Sequence, residues 1–366
     1  MNFMIKIKMG IKNLNKFLRE KTPDIFEPIH LSEYAFKKVA IDISLYLFKF
    51  KAVCGDRWLY SFLQLICSLR RNEIHCIFIY DGKAPPEKES EKAKRKSEKE
   101  KLQKQVYELE TALDDYYKTG VIDPLLRELY KKRKSPQQKR LLGVNKDIDI
   151  NWLEYKIKQK RAQIIDISHN DFAYTKELFD ILKVPYLTAP MEAEKMCSKL
   201  CIDGLVDAVL SEDTDIIAYG TPVFLSKIDT QKDVCIRINH PNVLENLEFT
   251  TKNEFLDLCI MCGTDYNDNI YKVGPNKSYQ YLKQYNNIEN IIDNTSLDTS
   301  ILNYERVREL FTVFENYNIN NIDYCGTPDF IKLEQFFTEH NININMEKIK
   351  ENFTREIIFE EESESE

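Results

Sequence analysis

The stretch Asp207–Gly220, DAVLSEDTDIIAYG, holds Glu212, Asp213 and Asp215 directly after the apolar run Ala208–Leu210. Upstream, APMEAEKMC sets Glu192 and Glu194 at the start of a predicted helix, and downstream LCIMCGTDY sets Asp265 at the end of another. Two more aspartates follow apolar runs near the N-terminus, Asp42 in KKVAIDIS and Asp81 in HCIFIYDGKAPP. A lone aspartate at a strand end is ordinarily a helix cap or turn former, which explains each position but not their convergence. In one pocket without counter-charge they would repel strongly: a like-charge pair about 4 Å apart costs roughly 4 kcal/mol even at an effective dielectric near 20. Oxygen-only ligands without nearby His or Cys select hard cations, Mg²⁺ or Mn²⁺. This many acids suit two such ions about 4 Å apart, an arrangement that activates a water and stabilises the leaving oxygen in phosphodiester cleavage.

The elements that must position these acids follow from periodicity. Lys37–Ser44 and Cys76–Tyr80 read as buried strands, and VPYLTAP, Ala208–Leu210, VFLSKI and VCIRIN as further ones. Between them lie helical periods: residues 9–20 with Ile11, Leu14, Phe17 and Leu18 on one face, Leu45–Leu69, and His169–Leu182 with Phe172, Leu178, Phe179 and Leu182 inward. Thr251 caps NEFLDLCIMC, which ends at Gly263, and Gly274-Pro275 opens a helix with Tyr279, Leu282 and Tyr285 on one stripe. Strands alternating with helices imply an α/β fold, a central mostly parallel sheet flanked by helices. Such sheets bind ligands outside the carboxyl ends of their strands. The remainder to about Phe353 reads as short Asn-rich helices, followed by an acidic, disordered tail.

From Lys83 to Arg161 the composition changes. Lys83, Lys88, Lys92, Lys94, Arg95, Lys96, Lys99, Lys101 and Lys104 crowd one helical run, interleaved with Glu. Further basic runs follow at Lys131, Lys132, Arg133, Lys134, Lys139 and Arg140, and at Lys156, Lys158, Lys160 and Arg161. Few apolar residues lie between Lys83 and Gln105, so this helix is expected to lack a face to bury deeply and to form an exposed insertion that a partner could order. A solvated helix with i,i+4 Glu–Lys pairs fits the same charge pattern. Its place directly beyond Asp81 favours the handling of an anion.

Composition sets the outer bounds. A chain of 366 residues, 43% apolar and 11% aromatic, can bury a large core as one complex domain or two smaller ones. No run of about eighteen apolar residues offers a membrane helix. The leader MNFMIKIK lacks an apolar h-region and a small-residue cleavage site, so an intracellular protein is expected. Nine cysteines, odd in number and scattered through apolar segments, agree with that. Cys259-x-x-Cys262 has no second pair and reads as small hydrophobes on one helix, not as a zinc or redox site. No histidine lies near a nucleophile motif, so Ser–His or Cys–His catalysis has no support. The net charge of −7 includes five acids of the tail (Glu360, Glu361, Glu362, Glu364 and Glu366), while the bases are concentrated; its sign does not argue against an anionic partner.

The segments MGIKNL (9–14), VAIDISLYLF (39–48), IFIYDGKAPPEK (77–88), VPYLTAPMEAEKMC (184–197), AVLSEDTDIIAYG (208–220), LCIMCGTDY (258–266) and VGPNKSYQYL (273–282) carry a family likeness. In order and approximate spacing the chain resembles the XPG-type structure-specific nucleases, and among them most closely the flap endonucleases. The resemblance implies a Mg²⁺-dependent hydrolase with two ions per site, for which Mn²⁺ can substitute. Its implied partner is branched DNA (5′ flaps, nicked or gapped duplex), cut in replication and repair with associated 5′ exonuclease activity. The metal-site acids fall on Asp42, Asp81, Glu192, Glu194, Asp213, Asp215 and Asp265, which leaves Glu212 out. The lysine and arginine that reach the scissile phosphate from the base of a helical arch fall on Lys88 and Arg95. A separation of seven puts both on one helix face. Phe48 falls where an aromatic stacks on a nucleobase beside the cut. The segment around Gly274-Pro275 resembles a helix–two-turn–helix in which backbone N–H groups and a potassium ion hold duplex phosphates, with Lys277 as a further contact.

On this reading residues 9–82 and 168–270 are the two parts of a nuclease core, and 83–167 a basic helical arch insertion. Residues 271–355 form a C-terminal helix–two-turn–helix bundle, and 356–366 the tail. A monomer working at replication or repair sites, nuclear or cytoplasmic and off membranes, is expected. The chain also departs from the family pattern. Eight residues precede Met9, the arch is longer than a minimal one, and Lys272 stands where a glycine is common. The tail EIIFEEESESE carries no recognisable clamp-binding motif, which speaks against the sliding clamp as a partner. The nearest rival is a bubble- or junction-cutting, or mainly exonucleolytic, member of the same superfamily. A non-catalytic DNA-binding scaffold is opposed by the complete acid set. A phosphatase of haloacid-dehalogenase type would need neither Glu192 and Glu194 nor a Gly-Pro phosphate-binding helix pair.

Overall fold

Alternate residues of each central strand enter opposite cores, the signature of a sheet buried on both faces. Among the described residues seven strands are present: β1 (Glu27–His30), β2 (Lys38–Asp42), β3 (His75–Tyr80), β4 (Tyr186–Thr188), β5 (Ala208–Leu210), β6 (Val223–Asp229) and β7 (Val234–Asn239). This computed structural model describes residues 10–132, 148–315, 317 and 319–353. Met9, the basic residues Arg133, Lys134, Lys139 and Arg140, and the acidic tail lie outside them. The strand order is β1-β7-β6-β5-β2-β3-β4, parallel from β6 to β4, with β7 and β1 antiparallel at one edge. The mostly parallel α/β sheet expected from sequence is therefore present. Strand β1 was not anticipated, because its four residues EPIH include a proline and do not alternate cleanly.

Ala40, Ile77, Ile79 and Val209 point into one core, with the helices Leu14–Lys21, Ala193–Ile202, Lys252–Cys262, Pro275–Tyr285 and Tyr304–Thr312. Val39, Ile41, Phe78, Tyr80 and Leu210 point into the other, with Ile43–Cys54, Trp58–Arg71, His169–Leu182 and Phe330–Glu339. The helical period read over residues 45–69 is in fact two helices, broken at the 3₁₀ turn Gly55–Arg57. The break itself, Gly55-Asp56-Arg57, is polar and exposed, but apolar residues flank it on both sides, which is why periodicity alone ran across it. The first helix begins at Leu14, after a turn at 10–13, and not at residue 9. Cys259 and Cys262 are buried, free thiols.

The insertion differs from expectation in one respect. Its first helix, Glu89–Thr119, runs for 31 residues. The first half is solvated, but Leu109 and Ala112 pack with Leu126 of the helix Pro124–Lys131 and with Leu153 and Ile157 of Ile150–Arg161. The arch therefore owns a small apolar core at its far end. The basic run Lys83–Gln105 stops one residue short of Val106, where the buried stripe begins. Among the described residues no helix is long and apolar enough to cross a membrane.

Candidate active site

Strands β5, β2 and β3 are adjacent and parallel, so their carboxyl ends deliver neighbouring aspartates to one rim. Asp42 ends β2 opposite Ile79 of β3, and Asp81 follows β3. Ile41 pairs with Leu210, and Asp213 follows β5 by three residues. Asp42 also caps the helix Ile43–Cys54, accepting from Ser44 N at 2.8 Å, and Ser44 Oγ donates to Asp81 Oδ2 at 2.5 Å. The capping reading was thus correct for Asp42 without excluding a second role. Asp81 Oδ1 accepts from Ala193 N at 2.9 Å, which ties β3 to the helix carrying Glu192 and Glu194. Gly82 permits this approach: a Cβ there would overlap the Ala189 carbonyl oxygen and lie 2.7 Å from that of Pro190.

Asp213 Oδ1 accepts from Asp215 N at 2.9 Å, a turn that fixes both side chains. Gly10 closes over it with φ +69°, and a Cβ there would overlap Asp213 Oδ1 and come within 2.5 Å of Thr214 Oγ1. Ile11 N donates to that same Thr214 Oγ1 at 3.1 Å. The N-terminal segment thus packs on the acid turn.

Electrostatically the acids form one group. Burial, then Asp81, pushes the Asp42 carboxyl well above the usual range. Burial, then Asp213, does the same to Glu194, and burial with Asp213 and Asp265 to Asp215. Asp213 is raised to about 6, chiefly by burial. Asp215 Oδ1 is buried with no hydrogen-bond partner. Such carboxylates need a compensating charge. Part of it comes from the arch. Lys88 Nζ donates to Glu192 Oε1 and lies 3.3 Å from Asp265 Oδ2. Arg95 Nη2 donates to both oxygens of Asp265 at 2.8 and 2.9 Å. Burial alone would lower the Lys88 pKa, but Glu194, Glu192 and Asp265 together hold it above its ordinary value.

The unpartnered Asp215 oxygen, the excess of acids over bases and the all-oxygen donor set fit hard divalent cations. Among the described residues no three of these side chains form a ready-made ion cage. Lys88 stands between Glu192 and Asp265 instead. Glu212 is paired with Lys49 Nζ at 2.7 Å.

Phe48, Gly274 and Lys277 do not join this cluster. Phe48 is half-buried on the helix Ile43–Cys54. Gly274 precedes the helix Pro275–Tyr285, and a Cβ there would meet open space; Lys277 is exposed in its first turn. Lys272 adopts φ +60°, the left-handed region in which a glycine is free of strain. Sequence reasoning missed Ser44, Lys49, Tyr219 and Tyr266 as neighbours of the acids. All four lie inside or one residue beyond segments quoted above, but nothing in their type marked them.

Residues 9–102 match the XPG N-terminal domain and residues 183–265 the XPG I-region. A protein of Invertebrate iridescent virus 6 named "Probable RAD2-like endonuclease 369L" is 33% identical over 387 residues, spanning 95% of this chain and 92% of its own. Flap endonuclease 1 of Cryptosporidium parvum is 28% identical over 384 residues, 93% of this chain and 70% of its own. The solved catalytic core of Rad2 in complex with DNA substrate shares the fold with a TM-score of 0.62 at 17% identity, covering 94% of this chain and 100% of that one. The flap endonuclease of Methanococcus jannaschii does so with 0.57 at 21%, covering 90% and 95%. A mostly parallel sheet with acids at its rim and a basic arch beside them is, with these matches, the mark of a nuclease. The chain belongs to the XPG-type nuclease family and stands close to the flap endonucleases within it.

Proposed function

We propose that this chain is a divalent-cation-dependent 5′ nuclease that hydrolyses a phosphodiester in branched DNA, with the 5′ flap as its main substrate. One observation carries the reading: two arch cations, Lys88 and Arg95, pair with Glu192 and Asp265 beside the carboxyl ends of β2, β3 and β5, where Asp42, Asp81 and Asp213 stand. Asp42, Asp81, Glu192, Glu194, Asp213, Asp215 and Asp265 would hold Mg²⁺, with Mn²⁺ as a substitute. When bound, two such ions supply an activated water and charge stabilisation at the leaving oxygen. Lys88 and Arg95 then have an anion of their own to bind, the scissile phosphate, with Arg suited to gripping two oxygens and Lys acting as a point charge. Phe48 offers a stacking face two turns after Asp42. The open backbone at Gly274, the helix N-terminus behind it and Lys277 suit duplex phosphates, which are gripped without reading bases. The potassium expectation gains no support from this turn, since the Ile270 carbonyl already accepts from both Val273 N and Asn269 Nδ2.

A second reading keeps the chemistry and changes the substrate to bubbles or four-way junctions. The packed far end of the arch favours it, because that end makes the insertion a larger body than a minimal threading loop. Cleavage of 5′-flap, bubble, four-way and nicked duplex DNA, with Mg²⁺ or with EDTA, separates these readings. Preferred cutting of the flap at its base, abolished by EDTA, is expected. Failure to cut any of the four at low salt would refute the nuclease assignment for this chain.

A further inference from the structure

The partners of Glu192 lead to residues behind the acid cluster. Glu192 is 5% exposed, and both its oxygens are engaged: Oε1 accepts from Lys88 Nζ and Oε2 from the Tyr266 phenol. Tyr266 Oη lies 3.0 Å from Tyr219 Oη. A phenol carries one proton, and that of Tyr266 goes to Glu192, so Tyr219 is the donor to Tyr266. The result is a directed relay, Tyr219 to Tyr266 to Glu192. Both rings pack on Phe311, with centroids 4.7 Å and 5.4 Å away. The relay is therefore held rigidly from the core side.

Each tyrosine is tied in sequence to an acid of the cluster. Tyr219 closes the helix that begins at Asp215, and Tyr266 follows Asp265 directly. The two partners of Glu192 thus differ in kind. Lys88 arrives from the base of the arch. Tyr266 belongs to the core and shares its turn with another acid.

We propose that Tyr266, backed by Tyr219, is a positioning residue for divalent-cation binding: it fixes Glu192 through Oε2, and Oε1 is the oxygen that Lys88 and a cation exchange. The inference rests on the reading of Glu192 as a metal-site acid. Hydrogen-bond partners that orient a ligating side chain typically contribute about 10- to 100-fold to metal affinity.

The test is Mg²⁺ binding by calorimetry to the full chain and to Tyr266→Phe, Tyr219→Phe and the double variant. Melting temperature and flap-DNA affinity are measured in EDTA on the same samples. Phenylalanine keeps the ring packing on Phe311 and removes only the hydroxyl. Tyr266→Phe is expected to weaken Mg²⁺ binding by about tenfold or more, with the EDTA melting temperature and DNA affinity near those of the parent. Tyr219→Phe should weaken it less, and the double variant no more than Tyr266→Phe alone, because Tyr219 acts through Tyr266. Unchanged Mg²⁺ affinity in Tyr266→Phe overturns the proposal. So does a loss confined to melting temperature, which would make the phenol a structural group. Additive losses in the double variant overturn the relay. Absence of Mg²⁺ binding by the parent chain would instead remove the metal reading of Glu192, and this inference with it.

Discussion

Asp213 shows most directly what burial does to the acid rim. Its carboxyl titrates at about 6 in the folded chain, against an ordinary value of 3.8. The folded state therefore binds this proton more tightly than the unfolded state. The stability it contributes is present below about 4 and is lost as pH rises through about 6. Asp171 and Asp233, held low against burial by Lys51 and Arg71, act in the opposite sense and only at lower pH. His240, lowered by burial to about 4, opposes Asp213 across the same window, but Asp42, Glu194 and Asp215 are raised in the same sense as Asp213. Thermal unfolding in EDTA should accordingly show a melting temperature that falls between about pH 4.5 and 6.5. Mg²⁺ should flatten that fall and Asp213→Asn should reduce it; equal slopes for parent and variant would count against the burial argument. Gly10 offers a second residue-scale test. Its positive φ alone costs an L-residue about 1–2 kcal/mol, and a methyl group would strike Asp213. Gly10→Ala should lower the melting temperature and cut turnover at least about tenfold, measured on a flap substrate under single-turnover conditions. Wild-type turnover would show that the contact is dispensable. The acids were legible in the sequence because charge at strand ends is conspicuous. Ser44, Tyr219 and Tyr266 were not, because a hydroxyl acquires its role only from what it faces.

At the scale of elements, the arch base is the feature that couples parts. Lys88 and Arg95 occupy Glu192 and Asp265, the same acids a cation would use. On the proposed metal assignment, cation and arch would compete for these acids, and such coupling is reciprocal. Adding Ca²⁺, which takes oxygen ligands, should speed amide exchange across residues 88–96. Slower or unchanged exchange at saturating Ca²⁺ would mean that the arch base and the cation do not share ligands. Lys88→Ala should lower single-turnover cleavage by about a hundredfold with little change in flap affinity measured in Ca²⁺. Equal losses in both would assign Lys88 to binding alone. The seven-residue spacing of Lys88 and Arg95 was read as one helix face; Lys88 instead ends the 3₁₀ turn Pro86–Lys88 just before the helix Glu89–Thr119 that carries Arg95, and both still reach Asp265. The apolar core of the arch was harder to read. Leu109 and Ala112 are spaced through a charged helix, and their partners Leu126, Leu153 and Ile157 lie on two later helices. Similarly, the break at Gly55–Arg57 is invisible to a pattern that stays apolar on both sides.

Taken whole, the molecule is a sheet whose parallel centre gathers acids and whose helices bring bases to them. Strand patterns alternating with helix periods made that architecture predictable, since both faces of the sheet had to be buried. The edge strand β1 escaped because it pairs with β7 across some two hundred residues and carries a proline. Convergence of Asp42, Asp81 and Asp213 was implied by parallel order but depended on β5, β2 and β3 being neighbours, which sequence order does not state. The central claim is that this rim hydrolyses DNA with cations held by its carboxylates. Its most direct test uses Asp215→Asn, which removes the charge of the acid with an unpartnered buried oxygen and nearly preserves its shape. Single-turnover cleavage of an end-labelled 5′ flap is followed in Mg²⁺, with flap binding measured in EDTA on the same preparation. The account predicts a loss of cleavage of at least about a hundredfold with flap affinity retained; cleavage within a few-fold of the parent would contradict it.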